Sequence, residues 1–460
     1  METSGTAGAT GAAGAIGSAG AAGKGERVLA RDAGNYIGED IVLEGWVHNV
    51  RSLGGLSFLL LRDRTGVIQC VGDAAGHAAE IDRLPTESVV RVYGRVRADS
   101  RAPGGVEVEV AGTEVINASI ENVPFEINKN GINAGLDVQL DNRVISLRHA
   151  TAQAIFRVEA EIVRIFREYL RSQGFIEVFT PKIVASGTEG GSALFPVDYF
   201  GRRAFLAQSP QFYKQMAVGA GFERVFEVGH AYRAEEHNTS RHLNEYVSLD
   251  LEMGFIKDEG DVMDVEEGFI RSLLSELERT RKADFDTCGA KIPVLPPEAR
   301  IPRLRFSEVV AILKDEYGLD LSRRTDLDPE GERLICSYCA EKLGSEFVFV
   351  THFPRSARPM YTMPDENDPK LSRSFDLLFR GLEVTTGGQR IHKYDMLVES
   401  IKARGLNPAT FEHYLKAFTH GMPPHGGLAI GLERITARLL GLGNVREASL
   451  FPRDRDRLTP

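Results

Sequence analysis

The 460-residue sequence predicts an α+β protein with two folded parts, a small all-β barrel followed by a larger domain built on an antiparallel sheet flanked by helices. Three patterns carry this prediction. Short apolar-alternating runs separated by Gly- or Pro-containing turns fill residues 40–117. Residues 151–173 place Ile155, Val158, Ile162, Ile165, Phe166 and Leu170 at helical spacing. Val247, Leu249, Leu251 and Met253 alternate with Ser248, Asp250, Glu252 and Gly254 beside a second extended run at 224–235, the signature of paired strands with one buried face.

Residues 1–26 are rich in Gly, Ala, Ser and Thr and read as a flexible tail. They have neither the basic start nor the leucine-like core of a secretory signal. Residues 27–119 supply IVLEGWVHNV, LSFLLLRDRTGVIQCVG, ESVVRVYGRVRA and VEVEVAGTEVIN, enough short strands for a five-stranded barrel of the oligonucleotide-binding (OB) kind. On such a barrel Phe58 is a candidate base platform and Gln69 a candidate base-edge reader, although a phenylalanine considered alone is more often partly buried in its barrel. Residues 120–150 have few regularly spaced apolar positions and read as a hinge. The helix that follows stops at Gly174, a C-terminal cap, and the strand GFIEVFTP begins at once. Residues 257–371 hold helix-forming runs such as VEEGFIRSLLSELERTRK and read as a helical insertion in a domain spanning 151–460. Strands and a last helix return after residue 371.

Composition sets limits on function. With 42% hydrophobic and 26% charged residues the chain can bury a large core, and it has no membrane-length apolar run. Four cysteines in this length suit a reducing cytoplasm. Cys336 and Cys339 form a CxxC without a second pair, so they are assigned to a helix face and to no metal. A net charge of −10 requires any nucleic-acid surface to be a local patch. Between Glu44 and Arg101 no lysine occurs, and the cations there include Arg51, Arg62, Arg95 and Arg97.

The densest charge lies at residues 233–246, RAEEHNTSRHLNEY, between the two paired strands. Arg233 and Glu235, two apart, share a face if the strand continues and can grip a phosphate and an amine together. Near the C-terminus GGLAIGLERITARLLGLG runs from a glycine-rich strand into an amphipathic helix with Arg434 in its first turn, a place suited to phosphate. Asp376 and Glu383 flank a hairpin turn expected at Arg380 and Gly381, which brings two carboxylates either to one cation or into salt bridges.

Together with GFIEVFTP these segments resemble the three motifs of class II aminoacyl-tRNA synthetases. QSPQFYKQ, GTEGG, GGQRIH and the terminal FPRDRDRLTP narrow the likeness to the aspartyl-tRNA synthetases of the archaeal and eukaryotic type, over residues 27–460. The resemblance implies a cytoplasmic homodimer that activates L-aspartate with ATP and Mg²⁺ and transfers it to the 3′ end of tRNA(Asp). It implies Arg233 and Arg434 as catalytic residues and Arg233, Glu235, Arg241, His242, Leu243, Tyr246, Glu383 and Arg434 as the ATP site. Aspartate is expected at Glu189, Ser209, Gln211, Lys214, Arg233 and Arg390. Lys214 and Arg390 would hold its β-carboxylate, and an amide there would leave them unpaired. Mg²⁺ is expected at Asp376, Glu383 and Thr386, where the family often has serine, and the anticodon at Phe58, Gln69 and Glu107. Relaxed family members are taken to carry Trp and Lys at two barrel positions that align here with His48 and Pro103, so discrimination against tRNA(Asn) is expected. Four other readings stand beside it: relaxed charging of both tRNAs, an asparaginyl-tRNA synthetase, a synthetase-like asparagine synthetase, and a non-enzymatic tRNA-binding scaffold.

Overall fold

The computed structural model describes residues 25–73, 76–188 and 193–460. They form two compact units that divide between Asn133 and Ala134. In the first, β1 (Asp40–Leu53), β2 (Leu56–Asp63), β3 (Gly66–Gly72), β4 (Val89–Ala98) and β5 (Val106–Asn117) pair in the order β1-β2-β3-β5-β4. A further β1–β4 ladder closes the barrel. Alternation sends Leu43, Leu59, Leu61, Ile68, Cys70, Val92 and Val108 into its core. Each such side chain contributes about 1.5–3 kcal/mol by leaving water. The opposite phase of the same strands carries Phe58, Gln69 and Glu107. A bulge between Val47 and Asn49 marks the position of His48 on β1, and Pro103 opens a short turn between β4 and β5.

The segment expected as a hinge is divided. Residues 134–150 belong to the second unit, where short helices at Leu136–Asp141 and Arg143–Ser146 pack down. The Arg143 guanidinium donates to the carbonyls of Leu450 at 2.8 Å and Ser449 at 2.7 Å. These contacts with the C-terminal segment are distant in sequence, which is why the local pattern did not reveal them.

α1 (Ala150–Ser172) starts at His149, whose ring accepts from the Thr151 amide, and the chain turns beyond it at Gly174 with φ +80°. The second unit then supplies β6 (Ile176–Glu177), α2 (Gln211–Ala217), β7 (Arg224–Tyr232), β8 (Glu245–Gly254), α3 (Glu259–Thr280), β9 (Arg303–Arg305), α4 (Pro329–Lys342), β10 (Phe347–Thr351), β11 (Ser374–Phe379), β12 (Leu382–Arg390), β13 (His425–Gly431) and α5 (Leu432–Leu440). Its eight-stranded sheet has the order β9-β10-β11-β12-β13-β8-β7-β6, antiparallel except at the two outermost pairings. The insertion at 257–371 therefore holds helices and also contributes β9 and β10 to the main sheet.

All six apolar positions singled out on α1 are buried in one cluster with α3, α5 and the sheet face carrying Leu249, Leu251, Leu377 and Leu428. The β11–β12 hairpin turns at Arg380 and Gly381, with φ +46° and +77°, the left-handed pair of a two-residue turn. Arg380 is held there by Glu346 and by the carbonyls of Arg438 and Leu439 at the end of α5. Cys336 and Cys339 lie on α4 inside an apolar cluster, and burial pushes both thiols up to about 12. No helix among the described residues is long and apolar enough to cross a membrane.

Candidate functional site

Three adjacent strands build the site. The face of β8 that carries Tyr246 and Ser248 also carries Asp250 and Glu252. The same face of β12 carries Thr386 and Arg390, and that of β13 carries Gly427, Ala429 and Gly431. A cavity of about 210 Å³ opens over one end of this face. Its walls include Arg233, Glu235, Arg241, His242, Leu243, Tyr246, Glu383 and Arg434, the eight residues expected at ATP, together with Ser248, Thr386 and Glu433. The β7 ladder stops at Tyr232, earlier than the sequence suggested. Arg233 donates its amide to the Asn244 carbonyl at 2.9 Å, and Glu235 follows in irregular chain.

Charge converges on Glu383. Burial alone would raise its carboxyl, but Arg434, the Thr386 hydroxyl, Arg358 and Arg233 outweigh burial and hold it below its ordinary value. Arg434 reaches its carboxylate at 3.6 Å and its carbonyl at 3.2 Å, and Thr386 donates to it at 2.8 Å. The Arg233 guanidinium lies 5.7 Å from the centre of the Tyr246 ring. Leu243 packs with Ala437 and Val445. Burial, and then the nearby Arg434 charge, hold the His242 imidazole below its ordinary value. Glu433 accepts from the Val247 amide at 2.9 Å, and burial pushes its carboxyl up to about 7.

Asp376 differs from its expected place. A bulge between Leu377 and Leu378 puts Asp376 opposite Thr386, and Arg358 takes both carboxylate oxygens at 3.0 and 2.6 Å. Burial is the first cause that lifts its carboxyl to about 7, with Glu383 adding to the rise and Arg358 opposing it. Glu383 and Thr386 line the cavity, whereas Asp376 is absent from its walls and stands in a salt bridge, the alternative left open by the spacing.

Beyond the cavity the sheet face becomes a closed ion cluster. Lys214 is fully buried, and its ammonium donates to Asp250 at 2.7 Å and to the carbonyls of Leu428 and Leu251 at 3.1 and 3.3 Å. Those three contacts use its three donors. Arg390 donates to Glu252 at 3.1 Å and to the Gly427 carbonyl at 2.9 Å, while Gln211 donates to Glu252 at 3.2 Å. A Cβ on Gly427 would stand 2.2 Å from the Glu252 carboxylate, so only glycine lets β13 approach it. Ser209 shares a hydrogen bond with Thr188 at 3.0 Å and accepts from the Gln211 amide at 3.4 Å. Glu189 lies outside the described residues.

Lys214 and Arg390 converge on Glu252, and Asp250 and Glu252 balance their charges, so the place as a whole is electroneutral. The two acids were visible as the polar phase of β8, yet nothing local showed that this phase is buried. Glu332 and Arg358, which clamp Arg241 and Asp376, gave no signal, because each acts across a large sequence separation.

On the barrel the three expected anticodon residues are neighbours. Arg51 donates to Gln69 at 3.0 Å, Gln69 to Glu107 at 3.0 Å, and Arg97 to Glu107 at 3.2 Å. The Arg51 guanidinium lies 5.1 Å from the Phe58 ring centre. His48 meets Arg62 through Nδ1 at 2.9 Å, and Arg62 pairs with the buried Glu87.

An antiparallel sheet whose strand-to-helix turn and interstrand segment aim arginines into one cavity, in a chain that also carries a barrel, defines a nucleotide-using enzyme of the synthetase plan. The family of tRNA synthetases class II (D, K and N) matches residues 135–455, an OB-fold nucleic acid binding domain matches residues 41–116, and the chain belongs to that synthetase family of aminoacyl-tRNA ligases. It is 52% identical over 441 residues to the aspartate–tRNA(Asp/Asn) ligase of Deinococcus radiodurans, covering 95% of this chain and 99% of that one. It is 51% identical over 435 residues to the Thermus thermophilus protein of the same name, covering 94% and 100%. Among solved structures, asparaginyl-tRNA synthetase from Pyrococcus horikoshii with asparaginyl-adenylate is similar at TM-score 0.89 and 33% identity, covering 95% of this chain and 100% of that one.

Proposed function

We propose that this protein is an aspartate–tRNA ligase, which joins L-aspartate to ATP as aspartyl-adenylate and passes the aspartyl group to the 3′ end of tRNA. The observation that carries the reading is the single sheet face on β8, β12 and β13 along which an arginine-lined cavity passes into a buried carboxylate-and-cation cluster. From Ser248 to Glu252 the strand advances about 13 Å, the span of a nucleotide phosphate and a small amino acid set end to end.

Adenylate formation brings the aspartate α-carboxylate against the α-phosphorus while charge builds on the leaving pyrophosphate. Alignment and fixed cations supply the rate, with no protein nucleophile. Arg233 is assigned to the α-phosphate and α-carboxylate, Arg434 to the γ-phosphate, Tyr246 to the adenine face and Glu235 to its amine. The facing carboxylate and hydroxyl of Glu383 and Thr386, with Asp376 behind them, suit a magnesium ion bound with the triphosphate. That ion would neutralise phosphate charge. For the β-carboxylate Arg390 is the recognising cation. Lys214 holds Asp250 and Glu252 neutralised, without which their charges would repel a dicarboxylate. Glu189, Ser209 and Gln211 are assigned to the remainder of the amino acid. Phe58, Gln69 and Glu107 form the proposed anticodon surface.

The identity of 52% and 51% to aspartate ligases, against 33% to the asparaginyl structure, favours aspartate. On tRNA range there are two readings. His48 and Pro103 carry the expectation of a discriminating enzyme, while both relatives are named for tRNA(Asp/Asn). We favour the relaxed range, because near-full-length identity samples the whole barrel and two positions sample one bulge and one turn. Ile176 on the edge strand and Phe179 just beyond it, 50% and 79% exposed, support a homodimer through that edge. Four free thiols support a cytoplasmic setting.

Exchange of labelled pyrophosphate into ATP, run with aspartate, asparagine and glutamate, tests the substrate. Aspartate alone should support it, and exchange with asparagine alone would overturn the reading. Aminoacylation of purified tRNA(Asp) and tRNA(Asn) tests the range, with comparable charging expected and charging of tRNA(Asp) only returning the strict reading.

A further inference from the structure

We propose that Glu332 is a positioning residue for nucleotide binding, docking the segment between β7 and β8 by holding Arg241 on the cavity wall. The inference rests on the reading of that cavity as the ATP site. Between Tyr232 and Glu245 the chain forms neither helix nor strand. Arg241 stands there among cations, with Arg434 on the same cavity and Arg438 one turn further along α5. Unopposed, these charges would drive Arg241 outward to solvent.

Glu332 supplies the opposing charge. It sits in the first turn of α4, whose N-cap Asp328 accepts from the Gly331 amide at 2.8 Å, so its backbone is fixed. Glu332 is 6% exposed, and its carboxylate pairs with the Arg241 guanidinium. The same Oε2 accepts from the Glu383 amide at 3.2 Å, tying it to the strand that carries the proposed magnesium donors. Arg438 approaches from α5 with its buried Nε lacking a hydrogen-bond partner among the described residues, and the Glu332 charge acts on it as well. One side chain from the insertion thus connects the interstrand segment to β12 and balances α5. A carboxylate in that position pre-pays the ordering of Arg241 before the nucleotide arrives.

The test is aspartate-dependent pyrophosphate exchange by the full-length protein. Glu332→Gln keeps the volume and an acceptor but removes the charge, and it should raise KM for ATP about tenfold, the scale of one charge-assisted hydrogen bond. Its KM for aspartate and its kcat at saturating ATP should stay within about twofold of the parent, because the ion cluster is untouched. Arg241→Ala should raise KM for ATP to a similar extent. Glu332→Gln added to Arg241→Ala should then add nothing, since both remove one interaction. Unchanged KM for ATP in Glu332→Gln, or full additivity in the double variant, overturns the proposal. Unchanged KM for ATP in Arg241→Ala would instead remove Arg241 from the nucleotide site, a failure of the underlying reading.

Discussion

Replacing Lys214 by methionine tests the ion cluster most directly. The side chain is fully buried, 2.7 Å from Asp250 and 3.6 Å from Glu252, and methionine keeps its length while deleting the charge. Two carboxylates would then face the Arg390 guanidinium alone. Burial by itself raises the Glu252 carboxyl, and Arg390, Lys214 and His425 together bring it below its ordinary value, so removing Lys214 shifts the balance towards the protonated form. Breaking a buried pair by deleting one partner costs about 3–5 kcal/mol. At about 1.4 kcal/mol per decade this corresponds to a fall of roughly 10²–10⁴ in kcat/KM for aspartate, because an incoming dicarboxylate meets uncompensated negative charge. KM for ATP should barely move, as Lys214 is absent from the cavity wall. Part of the loss should return as pH falls and a cluster acid takes up a proton. Pyrophosphate exchange with each substrate varied in turn measures all of this. A variant with near-normal kcat/KM for aspartate, or one impaired equally for ATP, would refute the account of Lys214 as the counter-charge of the amino-acid site.

Arg434→Ala removes a cation paired with Glu383 and should reduce pyrophosphate exchange by about 10²-fold or more, with aspartate binding by calorimetry unaltered. If exchange survives, the assignment to the triphosphate fails. Phe58→Ala should weaken tRNA use by about 1–3 kcal/mol, the worth of one stacked base, and leave pyrophosphate exchange untouched. Normal aminoacylation efficiency would move Phe58 into an ordinary barrel role. Glu266 on α3 is 1% exposed with neither oxygen hydrogen-bonded to a described residue, and burial pushes its carboxyl up to about 8. Its folded value lies above the unfolded one, so its contribution is fully present below about pH 4.5 and is lost as pH rises through about 8. Glu266→Gln should therefore melt above the parent at pH 9 and near it at pH 5, and equal melting at both would reject the buried neutral acid.

Local sequence pattern revealed a good part of this fold and site. The helix at 150–172, its glycine stop, the two-residue turn at Arg380 and Gly381 and the barrel strands were all legible, because each depends on periodicity or on the φ of a few consecutive residues. The cavity residues were legible for another reason. Arg233, Tyr246, Glu383 and Arg434 lie in short motifs whose order resembles a known family, so kinship supplied what spacing alone left open.

The amino-acid sequence by itself determined the two folded parts, the strand phases and the set of charged residues available for chemistry. Tertiary structure alone decided how those charges are balanced. Asp250 and Glu252 lie on a face that periodicity calls polar and therefore exposed, yet α2 packs on it, Arg390 reaches across from β12, and Lys214 becomes a buried counter-ion. Arg358 claims Asp376 and Glu332 claims Arg241 across separations of 18 and 91 residues. Electrostatic energy depends on distance and burial in the folded chain, and neither is a property of neighbouring letters.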